Sequence, residues 1–130
     1  MSDLWGKAQE AADDARLLLR AGRYNGACNR AYYAMFNAAR ALLVEKEGIE
    51  LSAIKRHATL LRLFSLHFID KGIFAADFGP LLRRAADARL VADYDASTVG
   101  QTEAQSILDA MERFLTVADA AKTDAKPEVK

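Results

Sequence analysis

The sequence predicts an all-α fold, an up-and-down antiparallel bundle of four to five helices. Three observations predict it. Apolar residues return at steps of three and four in successive segments, the spacing of a helix face. Glycines fall where those segments end. No stretch alternates apolar and polar residues as a half-buried strand would. A chain of 130 residues, 52% hydrophobic and 28% charged, suits one globular core.

The first helix is expected from Asp3 to Ala21, with Leu4, Ala8, Ala11, Ala12, Ala15, Leu18 and Leu19 forming one apolar stripe. Gly22 stands where a left-handed terminating residue is wanted, and Asn25-Gly26 reopens the chain. The second helix, about Asn25 to Glu47, is apolar over most of its circumference. Ala27, Ala31, Ala34, Ala38 and Ala41 make one row; Cys28, Tyr32, Met35, Phe36, Ala39 and Leu43 make another. A helix of this kind is buried on several sides. Its remaining strip carries Arg30, Tyr33, Asn37 and Arg40, and Gly48 ends it.

Ser52 reads as the N-cap of a third helix reaching Asp70, with Ile54, Ala58, Leu61, Phe64 and Phe68 inward and Gly72 closing the segment. Gly79-Pro80 starts a fourth, because a proline in the first turn loses no needed amide. Leu81, Leu82, Ala85, Ala88 and Ala92 face inward, and the helix runs out near Tyr94. Thr102-Glu103-Ala104-Gln105 has the spacing of a capping box, opening a fifth helix to about Lys122. Beyond it the residues show no apolar pattern, and a flexible polar tail is expected at 123–130.

Composition narrows the function. Eighteen basic residues balance 18 acidic ones, so nucleic-acid binding must come from a local patch. The lone Cys28 permits no intramolecular disulfide, and its apolar row points to a structural role. No signal peptide and no apolar run of bilayer length is seen, and a cytoplasmic location is expected. Phosphate-loop glycines and metal-ligand pairs are absent, and no cofactor or metal is expected. His57 and His67, ten residues apart on one continuous helix, would point about 80° apart and could not share a metal.

Three polar groupings remain. The first is the strip Arg30, Tyr33, Asn37 and Arg40, whose arginines either pair with acids of neighbouring helices or line a groove for phosphates. The second is Lys55-Arg56-His57 with Arg62. It is either a solvated face or a place where neighbouring cations keep His57 neutral, as a base or nucleotide contact needs. The third is Arg83-Arg84 with Arg89, Asp93 and Tyr94. Arg89 and Asp93 are spaced either for a plain intrahelical ion pair or to hold Arg89 as a functional group.

The run Asn29-Arg30-Ala31-Tyr32-Tyr33-Ala34-Met35-Phe36-Asn37-Ala38-Ala39-Arg40 resembles the HEPN domain family (higher eukaryotes and prokaryotes nucleotide-binding), in particular its small stand-alone prokaryotic members. Ala21-Gly22-Arg23-Tyr24 comes before it in the expected order. A Lys-x-His element at Lys55 and His57, and an Arg-x-x-x-Asp-Tyr element at Arg89, Asp93 and Tyr94, follow it. The likeness covers about Leu4 to Ala120, so that residues 1–122 form one HEPN-like bundle.

The resemblance implies a homodimer working beside a minimal nucleotidyltransferase, often as a toxin–antitoxin pair. Active members are metal-independent endoribonucleases with an Arg-x(4–6)-His motif. Here no histidine follows Arg89, so the group expected to act as acid or base is missing from its place. Three readings stay open. One is a binding module for nucleotide, RNA or partner, its groove lined by Arg30, Tyr33, Asn37, Arg40, Lys55, His57, Arg89, Asp93 and Tyr94. Another is an endoribonuclease toxin drawing on Arg89, His57 or Tyr94. The last is a purely structural helical interaction protein.

Overall fold

In the computed structural model, residues 3–94 and 99–123 are described, the side chains of 92–94 excepted. Five α-helices account for the architecture: α1 (Leu4–Arg20), α2 (Tyr24–Glu47), α3 (His57–Phe64), α4 (Phe78–Tyr94) and α5 (Gln101–Thr123). A 3₁₀ turn, Leu51–Ile54, precedes α3 and a π-helical segment, Ser65–Ile69, extends it. No strand occurs among the described residues, and none of their helices is long and apolar enough to cross a membrane.

The α1–α2 reversal follows from one glycine. Gly22 takes φ +75°, a left-handed geometry that costs other residues about 1 kcal/mol or more. The Gly22 and Arg23 amides then bond the Leu19 and Leu18 carbonyls, satisfying the end of α1. At its start, the Gly6 amide donates to Asp3 Oδ1 at 3.0 Å. Gly48 and Gly72 close α2 and the π segment in the same left-handed way.

Helix α2 touches every other helix. All eleven residues of its two expected apolar rows are buried, together with Leu42. Against it, α1 buries Leu4, Ala8, Ala11, Ala12 and Ala15, so small side chains line much of this contact. The other half of the core is aromatic. Phe64 meets Phe68, Phe74 and Phe114 at centroid distances of 5.1, 4.9 and 5.4 Å, and Phe78 packs on Phe74 and Phe114. At the surface, a bidentate bond from Arg16 to Glu112 (2.7 and 2.8 Å) clips α1 to α5.

Three sequence expectations need correction. Ser52 does not cap a long third helix: it lies in the 3₁₀ turn, and Arg56 is extended (φ −87°, ψ 138°), so α3 begins at His57. That break resets the helical phase. Leu60 is buried in place of Ala58, which is exposed, and Leu61 is only half-buried. The Thr102–Gln105 capping box does not form either. The Val99 amide is held by Asn25 Oδ1 at 2.8 Å, and the α5 ladder starts two residues early, with the Ala104 amide donating to the Gly100 carbonyl. Thr102, two residues past the carbonyl that opens the ladder, is thus inside the helix, and Gln105 bonds Asp109 instead. Helix α4 opens at Phe78, just before Gly79-Pro80, with the Phe78 amide on the Ala75 carbonyl. Of the expected polar tail at 123–130, all but Thr123 lies outside the described residues.

Phe114 is fully buried where the aromatic cluster meets α5. Phe114→Ala is therefore expected to lower unfolding free energy by about 3–5 kcal/mol. Urea denaturation followed by circular dichroism measures it, and a loss near zero would contradict the cluster.

Candidate functional site

The chemistry gathers where α2, the start of α3 and α4 meet. Helical spacing puts Tyr32, Tyr33, Phe36, Asn37 and Arg40 on adjoining turns of α2. The extended Arg56 delivers His57 onto them as the first residue of α3. The imidazole stacks on Tyr32 with centroids 5.2 Å apart, lies 4.5 Å from Phe36 and meets Tyr33 edge-on at 6.1 Å. Its Nδ1 is 2.7 Å from the Tyr32 hydroxyl.

Cations frame this aromatic wall. The Arg89 guanidinium, from α4, lies 5.4 Å from the Tyr32 ring and 5.7 Å from the Tyr33 ring, and donates to the Tyr33 hydroxyl at 3.5 Å. Arg40 lies 5.3 Å from Phe36 and donates to Asn37 Oδ1 at 3.3 Å, while its buried Nε has no hydrogen-bond partner among the described residues. Arg30 lies 5.3 Å from Tyr33 and donates to Asn29 Oδ1. Contacts of this kind contribute about 0.5–2 kcal/mol each, most where water is excluded.

The electrostatics follow from this crowding. Burial lowers the pKa of His57 below its ordinary value, and the charges of Arg89 and Arg40 lower it further. The neutral direction matches expectation, but the cause differs: Lys55 and Arg56 are exposed, and the cations that act come from α4 and α2. Burial likewise lowers the pKa of Arg40 and raises that of Tyr32, which stays a phenol. The Cys28 thiol, buried in α2, is pushed up to about 11 by burial and then by the charge of Glu103, which leaves it unreactive.

Of the expected site residues, the fold brings together Arg30, Tyr33, Asn37, Arg40, His57 and Arg89. It does not bring in Lys55, which is exposed and makes no bond with a described residue. The side chains of Asp93 and Tyr94, and hence the Arg89–Asp93 pair, lie outside the described residues. The pairing of Arg30 and Arg40 with acids of neighbouring helices is absent among the described residues; asparagines and aromatic faces take that place.

Arg62 and Arg83 turn away. They line a separate hollow of about 590 Å³ with Ala58, Leu61 and Leu66. His67 is also elsewhere, on the π segment with Nδ1 2.8 Å from Glu47. The residue missing from the expected groove is Tyr32, which sequence reasoning placed in an apolar row. Its signal was available, since a hydroxyl in an otherwise apolar row must find a partner.

Known proteins bear on this geometry. The family profile described as HEPN domain matches residues 1–121. "Putative toxin MJ0605" of Methanocaldococcus jannaschii is 33% identical over 108 residues, covering 83% of this chain and 78% of its own. A UPF0332 protein of Thermotoga maritima is 32% identical over 117 residues, covering 84% and 86%. "Putative toxin MJ0142", also of M. jannaschii, is 30% identical over 110 residues, covering 84% and 72%.

A depressed His57 pKa ties stability to pH. Above about pH 6.5 the imidazole is neutral in both folded and unfolded chains. Below that value the unfolded chain takes up the proton first, so stability falls as pH falls toward the folded pKa. Wild type is therefore expected to lose more stability between pH 7.5 and pH 5.5 than His57→Gln. Urea midpoints at the two pH values measure it, and equal losses would show that His57 is not held neutral.

Proposed function

Because the chain belongs to the HEPN domain family, we propose that it is a toxin-like HEPN module whose Tyr33–His57–Arg40–Arg89 wall binds the phosphate of a nucleotide or RNA segment. One observation carries this reading. Arg40 is partly buried without a carboxylate among the described residues, and it and Arg89 both act on a neutral imidazole. Buried guanidinium charge needs an anion or an acceptor, and phosphate geometry suits it. The aromatic faces alongside suit a base, which stacks at about 1–3 kcal/mol. Arg30, at the Tyr33 ring, extends the cationic edge along the path a backbone would take.

The relatives' names support a toxin-like setting. Within it, on the strength of the family resemblance alone, the module works as a homodimer beside a minimal nucleotidyltransferase partner. With no histidine after Arg89, the module binds without the usual Arg-x(4–6)-His cleavage machinery. A second reading, a metal-independent endoribonuclease, is favoured by one observation. His57 comes from a different helix yet packs on the same two tyrosines as Arg89. An arginine beside an imidazole is a combination that could stabilise a pentavalent phosphate and move a proton.

Titration with an adenine nucleotide is expected to show binding that weakens with salt and falls about tenfold or more in Arg40→Ala. Binding unchanged by that substitution would remove the phosphate site. RNA incubated in EDTA is expected to remain intact; cleavage lost in both His57→Ala and Arg89→Ala would establish the enzyme reading instead. Light scattering of the purified chain is expected to give twice the chain mass, and a monomer would contradict the homodimer.

A further inference from the structure

We propose that Tyr32 locks His57 in the tautomer protonated at Nε2, so that the imidazole serves the site as a hydrogen-bond donor to an anion and not as a base. The inference rests in part on the phosphate-binding reading, because only that reading supplies the anion.

The argument is one of proton bookkeeping at a buried oxygen. Tyr32 is 1% exposed, and the one hydrogen bond its hydroxyl makes among the described residues is to His57 Nδ1, at 2.7 Å. Two arrangements fit that distance. In one, Nδ1–H donates to the phenol oxygen, and the phenol's own proton is left in the core without an acceptor. A buried donor left so costs about 1–3 kcal/mol. In the other, the phenol donates to a bare Nδ1 and no donor is lost. The second wins, and at room temperature that cost corresponds to a preference of about 5- to 150-fold.

Neutral imidazole carries one ring proton, and with Nδ1 accepting it resides on Nε2. His57 Nε2 makes no hydrogen bond with a described residue, and it is not among the buried atoms left without one. His57 itself is only half-buried, so its Nε2–H is placed to donate to a ligand. Stacking of the ring on Tyr32 and its tilted contact with Phe36 keep it from turning over to exchange the two nitrogens. The outward face of the site is then a set of N–H donors, from His57 and the guanidinium of Arg40, with no lone pair on the imidazole to take a proton. Such a face recognises phosphate oxygens. It cannot deprotonate a ribose hydroxyl while Tyr32 holds the ring.

The test reads the tautomer directly. The ¹⁵N shifts of labelled His57 at pH 7.5 are expected to show a protonated Nε2 and an unprotonated Nδ1. In Tyr32→Phe, which keeps the ring and removes the hydroxyl, the signature is expected to move to a mixture of both tautomers. Addition of inorganic phosphate is expected to shift the wild-type Nε2–H resonance, and to do so less in Tyr32→Phe. A wild-type His57 protonated at Nδ1 would overturn the inference, whether or not the variant folds. So would an unchanged tautomer in Tyr32→Phe, or a Nε2–H resonance indifferent to phosphate while nucleotide still binds. Absence of nucleotide binding with the Nε2 tautomer intact would sink the phosphate-binding reading, and with it the role as anion donor, while leaving the lock by Tyr32 standing.

Discussion

Helix α2 has to be surrounded, and the space around it sets what the other helices can be. A helix that buries twelve of its residues cannot rest against one neighbour; it needs partners on nearly every side. Alanine makes this possible by keeping the side-chain layer thin toward α1, whose own buried face is mostly alanine. Bulk is concentrated at the other end of the core, where Phe64, Phe68, Phe74, Phe78 and Phe114 fill the volume among α3, α4 and α5. The division is economical in backbone terms: the close contact needs only a tight turn at Gly22, and the wide one is spanned by the longer connection through residues 48–56.

The same burial creates the polar problem that the site resolves. A helix enclosed on most sides still carries Arg30, Arg40, Tyr32 and Tyr33, and each polar group must be satisfied or reach water. Aromatic faces and neighbouring asparagines absorb much of that demand, and His57 accepts the one hydroxyl that is fully enclosed. Burial, and after it the charges of Arg89 and Arg40, lower the His57 pKa and favour the neutral imidazole. Under the proposed function, what is left over is capacity for an external anion.

The parts legible in the sequence were those that depend on period alone. The α2 rows were read without error because each residue's environment follows from its angle around one uninterrupted helix. The meeting of Arg40, His57 and Arg89 was foreseen as a set of groups, but only through family likeness, since no spacing rule connects residues 40, 57 and 89. The break before α3 was not legible. Its cause is one extended residue, Arg56, and arginine carries no local mark of extension as proline or glycine would. Missing that break rotated the inner face and put Ala58 where Leu60 belongs. The fifth helix start was misread for a related reason: the deciding contact, Asn25 to Val99, spans 74 positions, and capping patterns see only four.

That break also has a consequence for how this region can vary. In an unbroken helix, each residue inserted ahead of His57 would swing it by about 100° and carry it off the aromatic wall. Here the helix that presents His57 starts afresh after an extended residue, and Glu50, Lys55 and Arg56 beside it are exposed. Length in the connection is thereby uncoupled from aim. The connection can therefore lengthen or shorten while His57 still lands on the second helix, because its aim is set by the helix it opens and not by its distance from Gly48.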